Sequence, residues 1–334
     1  MQSLLLNAGR MSGKDIESIE NIIINGDFQV AQQGTSFPAI SSSSIYTLDQ
    51  WVFYNVTGSV YTVTQGADIP SVSQAGLHAG NSLTATCTTG TASYASGASI
   101  HVIHYVKGSR FRKIAQKSFV LSFWVNSSVP GTYCVTFRNG GADRLYIAEY
   151  TVNTANTWER KTVVVPASPS AGAWDYANGV GLSILWTLAG FPGTGTPNAW
   201  SSNTQSYTAN QVNHAQVGNT FKLALVKIEP GIIATPFPVR DDLSLCQEYY
   251  CRANLSACMY AGVAGEQMQT TIYLPVPMRT VPRTVLVSTA LRNNLSHCSV
   301  DMYSNREGRF FTAAAAGGQA FFAVNDVWEF NARF

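Results

Sequence analysis

Charged side chains are scarce in this sequence. Asp, Glu, Lys and Arg make up 12% of the 334 residues, about half of the share of about 25% that is typical of soluble proteins. The net charge is only +2, whereas proteins that bind phosphate backbones carry a clear basic excess. We therefore expect no nucleic-acid partner.

Long apolar runs are also missing. No stretch approaches the roughly 18 apolar residues that a membrane-spanning helix needs. The apolar start, Leu4–Leu6, is broken by Asn7 and is too short for a secretory signal. The expectation is a chain without a signal peptide and without membrane insertion.

Motifs of common catalytic and metal sites are absent. The six cysteines show no CxxC spacing, which argues against a disulfide framework or a zinc site. HExxH, GxSxG and a phosphate-binding loop are missing. The acidic residues lie scattered over different predicted strands, without the paired carboxylates of a glycoside hydrolase. We therefore expect no enzyme, and we rank a polysaccharide depolymerase last among the alternatives.

His101 and His104 are the one histidine pair close in sequence. An odd spacing on a strand points two side chains to opposite faces, so the pair cannot share a metal ion. We expect both imidazoles to be solvent-facing or hydrogen-bonded.

What the chain does contain is a β pattern. Short alternating apolar runs, separated by Gly, Ser and Asn, extend from residue 22 to about 240, which is typical of a sandwich of antiparallel strands. In residues 118–141 two such runs flank Pro130-Gly131, which predicts a hairpin. Asn25-Gly26 ends the run Ile22–Ile24 and predicts a tight corner after a buried strand.

The pattern changes after residue 240. Leu243, Cys246, Tyr249 and Tyr250 recur at helical spacing, and alternating runs return afterwards. The predicted fold class is mainly β: a jelly-roll β-sandwich, a short linker helix and a second, smaller β-sandwich. The predicted segments are 1–20 as an N-terminal docking arm, 21–240 as the jelly roll, 241–258 as the linker helix and domain entry, and 259–334 as the small sandwich.

Several motifs together resemble the jelly-roll module of bacteriophage tail-fibre and related virion proteins. They are "NIIINGDFQVAQQGTSFP" from residue 21, "YTLDQW" from 46, "SFVLSFWVNSSVPGTYCVTFRNG" from 118, "KIEPGIIATPFPVRDDLSLCQEYY" from 227 and "LPVPMRTVP" from 274. The resemblance spans about residues 21–285. Pro230 and Glu248 depart from it, since the family usually has Leu-Glu-x-Gly where Ile228-Glu229-Pro230-Gly231 stands, and Arg at the position of Glu248.

The resemblance implies a structural component of a virion appendage, such as a tail fibre, a baseplate or collar component or a head decoration. The expected location is therefore the virion, with assembly in the host cytoplasm. Family members are often homotrimers that contact other virion proteins, and their sandwich is similar to carbohydrate-binding modules. It also implies attachment to a host-surface glycan as an activity to consider, and a structural calcium near the first strand, for which Asn25 and Asp27 are the candidates.

Aromatic residues in two predicted loops are the candidate glycan contacts. Sugars stack their C–H faces on exposed rings flanked by hydrogen-bonding groups. Residues 170–179 and 198–211 supply such a set: Trp174, Asp175, Tyr176, Trp200 and Tyr207. A trimer interface would use the same residues. The four tryptophans inside alternating runs are expected in the core: Trp51, Trp124, Trp158 and Trp186.

Overall fold

The computed structural model describes residues 20–190, 193–316 and 320–334. The predicted docking arm therefore lies outside the described residues, apart from Glu20. The chain divides into two compact units, of which the first ends at Arg240 and the second is Asp241–Phe334. The mainly β fold class is confirmed. Among the described helices, none is both long enough and apolar enough to cross a membrane.

The first unit contains two antiparallel sheets. Its elements are β1 (Ser36–Ile40), β2 (Ser43–Tyr46), β3 (Trp51–Asn55), β4 (Val60–Gly66), α1 (Val72–Ala75), β5 (Ser82–Thr89), β6 (Ser99–Lys107), α2 (Gly108–Phe111), β7 (Phe119–Ser127), β8 (Gly131–Asn139), β9 (Leu145–Val152), β10 (Glu159–Val165), β11 (Val180–Gly190), β12 (Trp200–Ser201) and β13 (Thr220–Pro230). The six-stranded sheet has the order β1-β4-β5-β13-β7-β10, and the seven-stranded sheet has the order β12-β9-β8-β11-β6-β3-β2.

The core of the first unit lies between these sheets. Strand β7 contributes Leu121, Phe123 and Val125 from one face, as the alternation predicts. Trp51 and Trp186 are fully buried in the same core, which confirms that prediction for both. Trp124 and Trp158 instead pack in a smaller cluster with Ala224 and Leu225, on the outer face of the six-stranded sheet.

The predicted hairpin at Pro130-Gly131 is wrong. Strand β7 belongs to the six-stranded sheet and β8 to the seven-stranded sheet, so the turn carries the chain from one sheet to the other. Strand β7 pairs with β10 and β13, whereas β8 pairs with β9 and β11. These distant partners decide the sheet to which each strand belongs.

The second unit is a sandwich of two three-stranded sheets, β14-β19-β16 and β15-β18-β17. Its elements are α3 (Leu243–Gln247), β14 (Tyr250–Ala261), β15 (Gln267–Tyr273), β16 (Arg283–Asn293), β17 (Leu295–Met302), β18 (Glu307–Ala314) and β19 (Ala320–Asn331). The helical turn is short because β14 begins at Tyr250 and pairs with β19 along its whole length. Phe310 and Phe330 are buried at the centre of this sandwich.

A buried asparagine forms the corner that the sequence predicts at Asn25-Gly26. The Asn25 side chain donates to the carbonyls of Val30 and Asp49, both at 2.9 Å, and accepts from the Val30 amide at 2.9 Å. The Trp51 indole donates to the Asn25 carbonyl at 2.9 Å. A side chain at Gly26 would lie 2.1 Å from the Val226 carbonyl oxygen, so glycine is required there.

The run before this corner is not a strand, contrary to the prediction. Ile22–Ile24 are buried, but they form a bent segment. The Asn21 side chain explains why, because its oxygen accepts from the amides of Ile23 and Ile228, both at 3.0 Å. One side chain thus takes the place of part of a strand ladder.

Replacing Asn25 by Ala should destabilise the first unit by about 2–4 kcal/mol, because it leaves buried backbone groups without partners. Asn25 has a positive φ of 56°, and exposed Asn156 has a φ of 55°. Asn156→Ala is therefore the matched control, since it carries the same backbone strain without the buried hydrogen bonds. Thermal and urea unfolding measure both variants, and equal losses would contradict the assignment.

Candidate functional site

The outer face of the seven-stranded sheet carries a groove whose residues come from its central strands. Leu182, Ile184 and Trp186 of β11 point into the core, so Ser183, Leu185 and Thr187 point outward. By the same alternation, β6 turns His101, Ile103 and Tyr105 outward. Strand pairing arranges these outward side chains in rows across the sheet.

The middle row is apolar. Val52 of β3 pairs with Ile103 of β6, and Ile103 pairs with Leu185 of β11. These three side chains form a buried cluster, against which Tyr46, Tyr54 and Tyr105 pack while remaining partly exposed. The groove thus has an apolar floor edged by tyrosine rings.

The two flanking rows are polar and aromatic. On one side Tyr54 pairs with His101, and His101 pairs with Thr187; the Tyr54 and His101 rings stack with centroids 5.7 Å apart. On the other side Ser183 pairs with both Tyr105 and Arg138. Hydrogen-bonding groups therefore lie on both sides of the apolar floor.

A loop that is fixed to the sheet forms one wall of the groove. The Ser206 carbonyl accepts from the Thr136 hydroxyl at 2.6 Å and from the Thr187 hydroxyl at 3.3 Å. The neighbouring Tyr207 is buried, and its hydroxyl donates to the Ala98 carbonyl at 3.3 Å. A side chain at Gly190 would lie 2.4 Å from the Tyr207 ring, so this ring rests directly on the backbone.

Together these elements enclose a cavity of about 380 Å³, within the usual size range of small-ligand sites. Its lining contains aromatic, hydroxyl, amide and guanidinium groups and no carboxylate: Ser44, Tyr54, Gly97, Ser99, His101, Ile103, Tyr105, Arg138, Leu185, Thr204, Gln205, Ser206 and Tyr207.

The histidine of the groove is neutral near pH 7. Burial, with a smaller effect of the nearby Arg138 charge, lowers the pKa of His101 to about 3. Its Nδ1 lies 3.1 Å from the Thr187 hydroxyl. His104 points to the other face of β6, where its ring lies 4.9 Å from that of Trp51. The opposite orientations are thus confirmed, but both histidines are buried and neither is solvent-facing.

The predicted loop aromatics form a cluster away from this groove. The rings of Trp174 and Tyr176 stack on Phe111 at 5.1 and 6.0 Å, and Trp200 meets Trp174 edge-on at 5.7 Å. The indole nitrogens of Trp174 and Trp200 donate to the carbonyls of Ala171 and Pro166, both at 3.1 Å. The polar edge of each indole is thus used inside the protein.

The other two predicted contacts differ in location. The Asp175 carboxylate accepts from the amides of Ala177 and Gly179 at 2.8 and 3.0 Å, so it holds its own loop. Tyr207 lines the groove. Of the five predicted contacts, the structure places Tyr207 in the groove and assembles Trp174, Tyr176 and Trp200 into the separate cluster.

The two calcium candidates already have protein partners. The Asn25 side chain makes the three hydrogen bonds given above, and Asp27 accepts from the Gln29 amide at 2.7 Å. Within residues 20–190, 193–316 and 320–334, no group of three or more His, Cys, Asp or Glu side chains is arranged to hold a metal ion.

Sequence reasoning missed Tyr54, Tyr105 and Arg138, and it considered His101 only as a metal ligand. A signal for them was present, because the outward positions of β3 and β6 are aromatic or apolar: Val52, Tyr54, His101, Ile103 and Tyr105. A sheet face in contact with water usually carries small or charged polar residues at such positions. Aromatic outward positions on adjacent strands therefore indicate a binding face.

Comparison with known proteins gives structural similarities only. The sequence matches no family model and no curated protein. Among solved structures, the chain is similar to the enzymatically active domain of tailspike protein 4 of Bacteriophage CBA120, with 16% identity and a TM-score of 0.33. The alignment covers 58% of this chain and 21% of that domain.

The chain is also similar to a CBM4 structure, with 14% identity, a TM-score of 0.32 and coverage of 63% of this chain and 99% of that one. A family 11 carbohydrate-binding module from Clostridium thermocellum, in complex with a β-1,3-1,4-mixed-linked tetrasaccharide, aligns with 11% identity and a TM-score of 0.32. It covers 60% of this chain, which spans 99% of that module. Similarities at this level assign no activity, so the function below depends on the groove itself.

Three buried histidines should make the stability of the protein depend on pH. Burial lowers the pKa of His101 and His104 to about 3 and that of His214 to about 4, against about 6.5 in an unfolded chain. Below pH 6.5 these histidines become protonated in the unfolded state but stay neutral in the folded state. Each histidine should thus lower the free energy of unfolding by up to about 1.4 kcal/mol per pH unit as the pH falls.

Urea unfolding at pH 7.5, 6.5, 6.0 and 5.5 measures this dependence. The unfolding free energy should be nearly constant above pH 7 and should fall below pH 6.5, before carboxylates titrate. His214→Gln should reduce the slope of the unfolding free energy against pH, because one of the three histidines no longer takes up a proton on unfolding. A flat profile between pH 6.5 and 5.5 would contradict the assignment of neutral, buried histidines.

Proposed function

We propose that this chain is a component of a bacteriophage virion appendage whose first unit binds a host-surface glycan in the groove. The observation that carries the proposal is the combination of an apolar floor with tyrosine rings and hydrogen-bonding groups on both sides. A pyranose ring presents apolar C–H faces and a rim of hydroxyls, so its recognition needs both kinds of group. Tyr54 and Tyr105 provide the rings, and His101, Arg138 and Gln205 provide polar contacts.

The sequence motifs support the location on a virion. Residues 21–285 resemble the tail-fibre module in both sandwiches and in the segment between them. We therefore propose other virion proteins as partners, with glycan binding as the activity of the assembled appendage and not of a free secreted protein.

We further propose that the groove binds its glycan without cleaving it. Glycoside hydrolysis ordinarily uses two carboxyl groups beside the scissile bond. None of the residues that line the groove is Asp or Glu. The composition of the groove thus supports recognition over hydrolysis.

Tyr54→Ala should weaken glycan binding about tenfold or more, which corresponds to about 1.4 kcal/mol, because it removes a ring from the edge of the floor. Tyr176→Ala is the matched control, since Tyr176 is 39% exposed but belongs to the separate aromatic cluster. Binding to a glycan array, followed by calorimetry on the retained glycan, measures both variants.

Loss of binding in Tyr176→Ala with full binding in Tyr54→Ala would contradict the groove as the glycan site and would favour the loop aromatics. The same glycan, incubated with purified protein and analysed for shorter products, tests turnover. Release of oligosaccharides would overturn the proposal of binding without cleavage.

Assembly as a homotrimer is the structural part of the proposal. The loop after β13 exposes Ile232, Ile233 and Val239 by 63%, 75% and 75%, and exposed apolar side chains grouped on one loop are typical of protein contacts. A double Ile232→Ser, Ile233→Ser variant should therefore dissociate the assembly.

Light scattering should give three times the chain mass of 36.1 kDa for the natural protein, and a lower multiple for the double variant. Val217→Ser is the control, since Val217 is 69% exposed in a different loop. A monomeric natural protein would contradict the trimer.

A further inference from the structure

Arg138 is the one residue of the groove lining that carries a full charge near pH 7. The lining contains no Asp, Glu or Lys, and His101 is neutral because burial lowers its pKa to about 3. Charge interactions are stronger beside a low-dielectric surface than in water. The groove therefore presents one positive charge next to an apolar floor.

The guanidinium of Arg138 is also incompletely satisfied within the protein. Its Nε atom is buried and has no hydrogen-bond partner among the described residues. None of the described Asp and Glu side chains forms an ion pair with it. A buried donor without a partner is costly, and the Arg138 side chain to which this atom belongs lines the cavity.

Other arginines of the first unit have hydrogen-bond or ion-pair partners within the protein. Arg240 donates to the carbonyls of Asn21 and Ile23 at 2.8 and 2.7 Å. Arg110 pairs with Glu20 at 3.5 Å. Arg138 has no comparable partner among the described residues and lines the cavity, so its guanidinium is available to a ligand.

We infer that the groove is specific for an acidic glycan, one whose sugar carries a carboxylate or a sulfate ester that pairs with Arg138. The inference rests on the proposed function and names the ligand class of the same site. The planar guanidinium suits such oxyanions because it can donate two parallel hydrogen bonds.

The rows of the sheet give the placement of the acidic sugar. Ser183 pairs with both Tyr105 and Arg138, so Tyr105 and Arg138 lie two strand spacings apart, about 10 Å. Both residues line the cavity, so a sugar ring bound against Tyr105 would have its anionic group within reach of Arg138. Neighbouring sugars would extend over the apolar floor towards Tyr54 and His101.

An array of oligosaccharides in matched sets tests the inference. Each set contains one backbone in three forms: with hexuronic acid, with the carboxyl group reduced to the neutral hexose, and with a sulfate ester. The natural protein should retain acidic members and bind the neutral counterparts at least about tenfold more weakly, as expected for the loss of a charge-assisted hydrogen bond. Affinity for acidic members should fall with added salt.

Arg138→Gln should remove this preference, so that acidic and neutral members of a set bind about equally. Arg160→Gln is the matched control, because it removes the same net charge at a residue that is exposed on β10 of the other sheet. Arg138→Lys should retain part of the preference, since it keeps the charge without the planar fork. Thermal unfolding establishes that each variant is folded.

The outcomes separate the two levels of the proposal. Equal binding of acidic and neutral members by the natural protein, with loss of both in Tyr54→Ala, would overturn the acidic specificity and leave glycan binding intact. An equal loss for both members in Arg138→Gln would likewise overturn it. No binding of any member by the natural protein would overturn glycan binding and the acidic specificity together.

Discussion

The pairing of β6 with β11 is the interaction on which both the core and the groove depend. These strands lie in the middle of the seven-stranded sheet and are buried on both faces. Their inward side chains, such as Val102 and Trp186, fill the sandwich. Their outward side chains, Ile103 and Leu185, form the groove floor. A slip of one residue in this register would exchange the two faces, so the packing that stabilises the sandwich also aligns the binding residues.

The sequence was informative where burial is a local property of a strand. The faces of β7 could be predicted because alternate residues of one strand alternate between core and surface whatever the partner. The hairpin prediction at Pro130-Gly131 was wrong because a turn sequence does not determine which strands pair with the segments before and after it. Strand β8 joins β9 and β11 through contacts distant in sequence. The bent Ile22–Ile24 segment failed for a related reason, since its partner is residue 228.

The candidate site also shows the difference between local patterns and contacts between residues distant in sequence. Tryptophan-rich loops were predicted to form the site because loops often carry binding residues. In the structure Trp174 and Trp200 pack on Phe111 and Tyr146 and complete the fold. Tyr207 was found because its loop reaches the sheet. Tyr54, Tyr105 and Arg138 were missed because each belongs to a different strand, and only the strand order of the sheet places them together.

The attachment of the loop around Ser206 has a consequence for how a ligand would be taken up. Two threonine hydroxyls from different strands hold one carbonyl of this loop, and the tyrosine beside it rests on glycine backbone. Such a wall is ordered before any ligand arrives. The protein then loses little conformational entropy on association, so a rigid-body encounter with the ligand is sufficient.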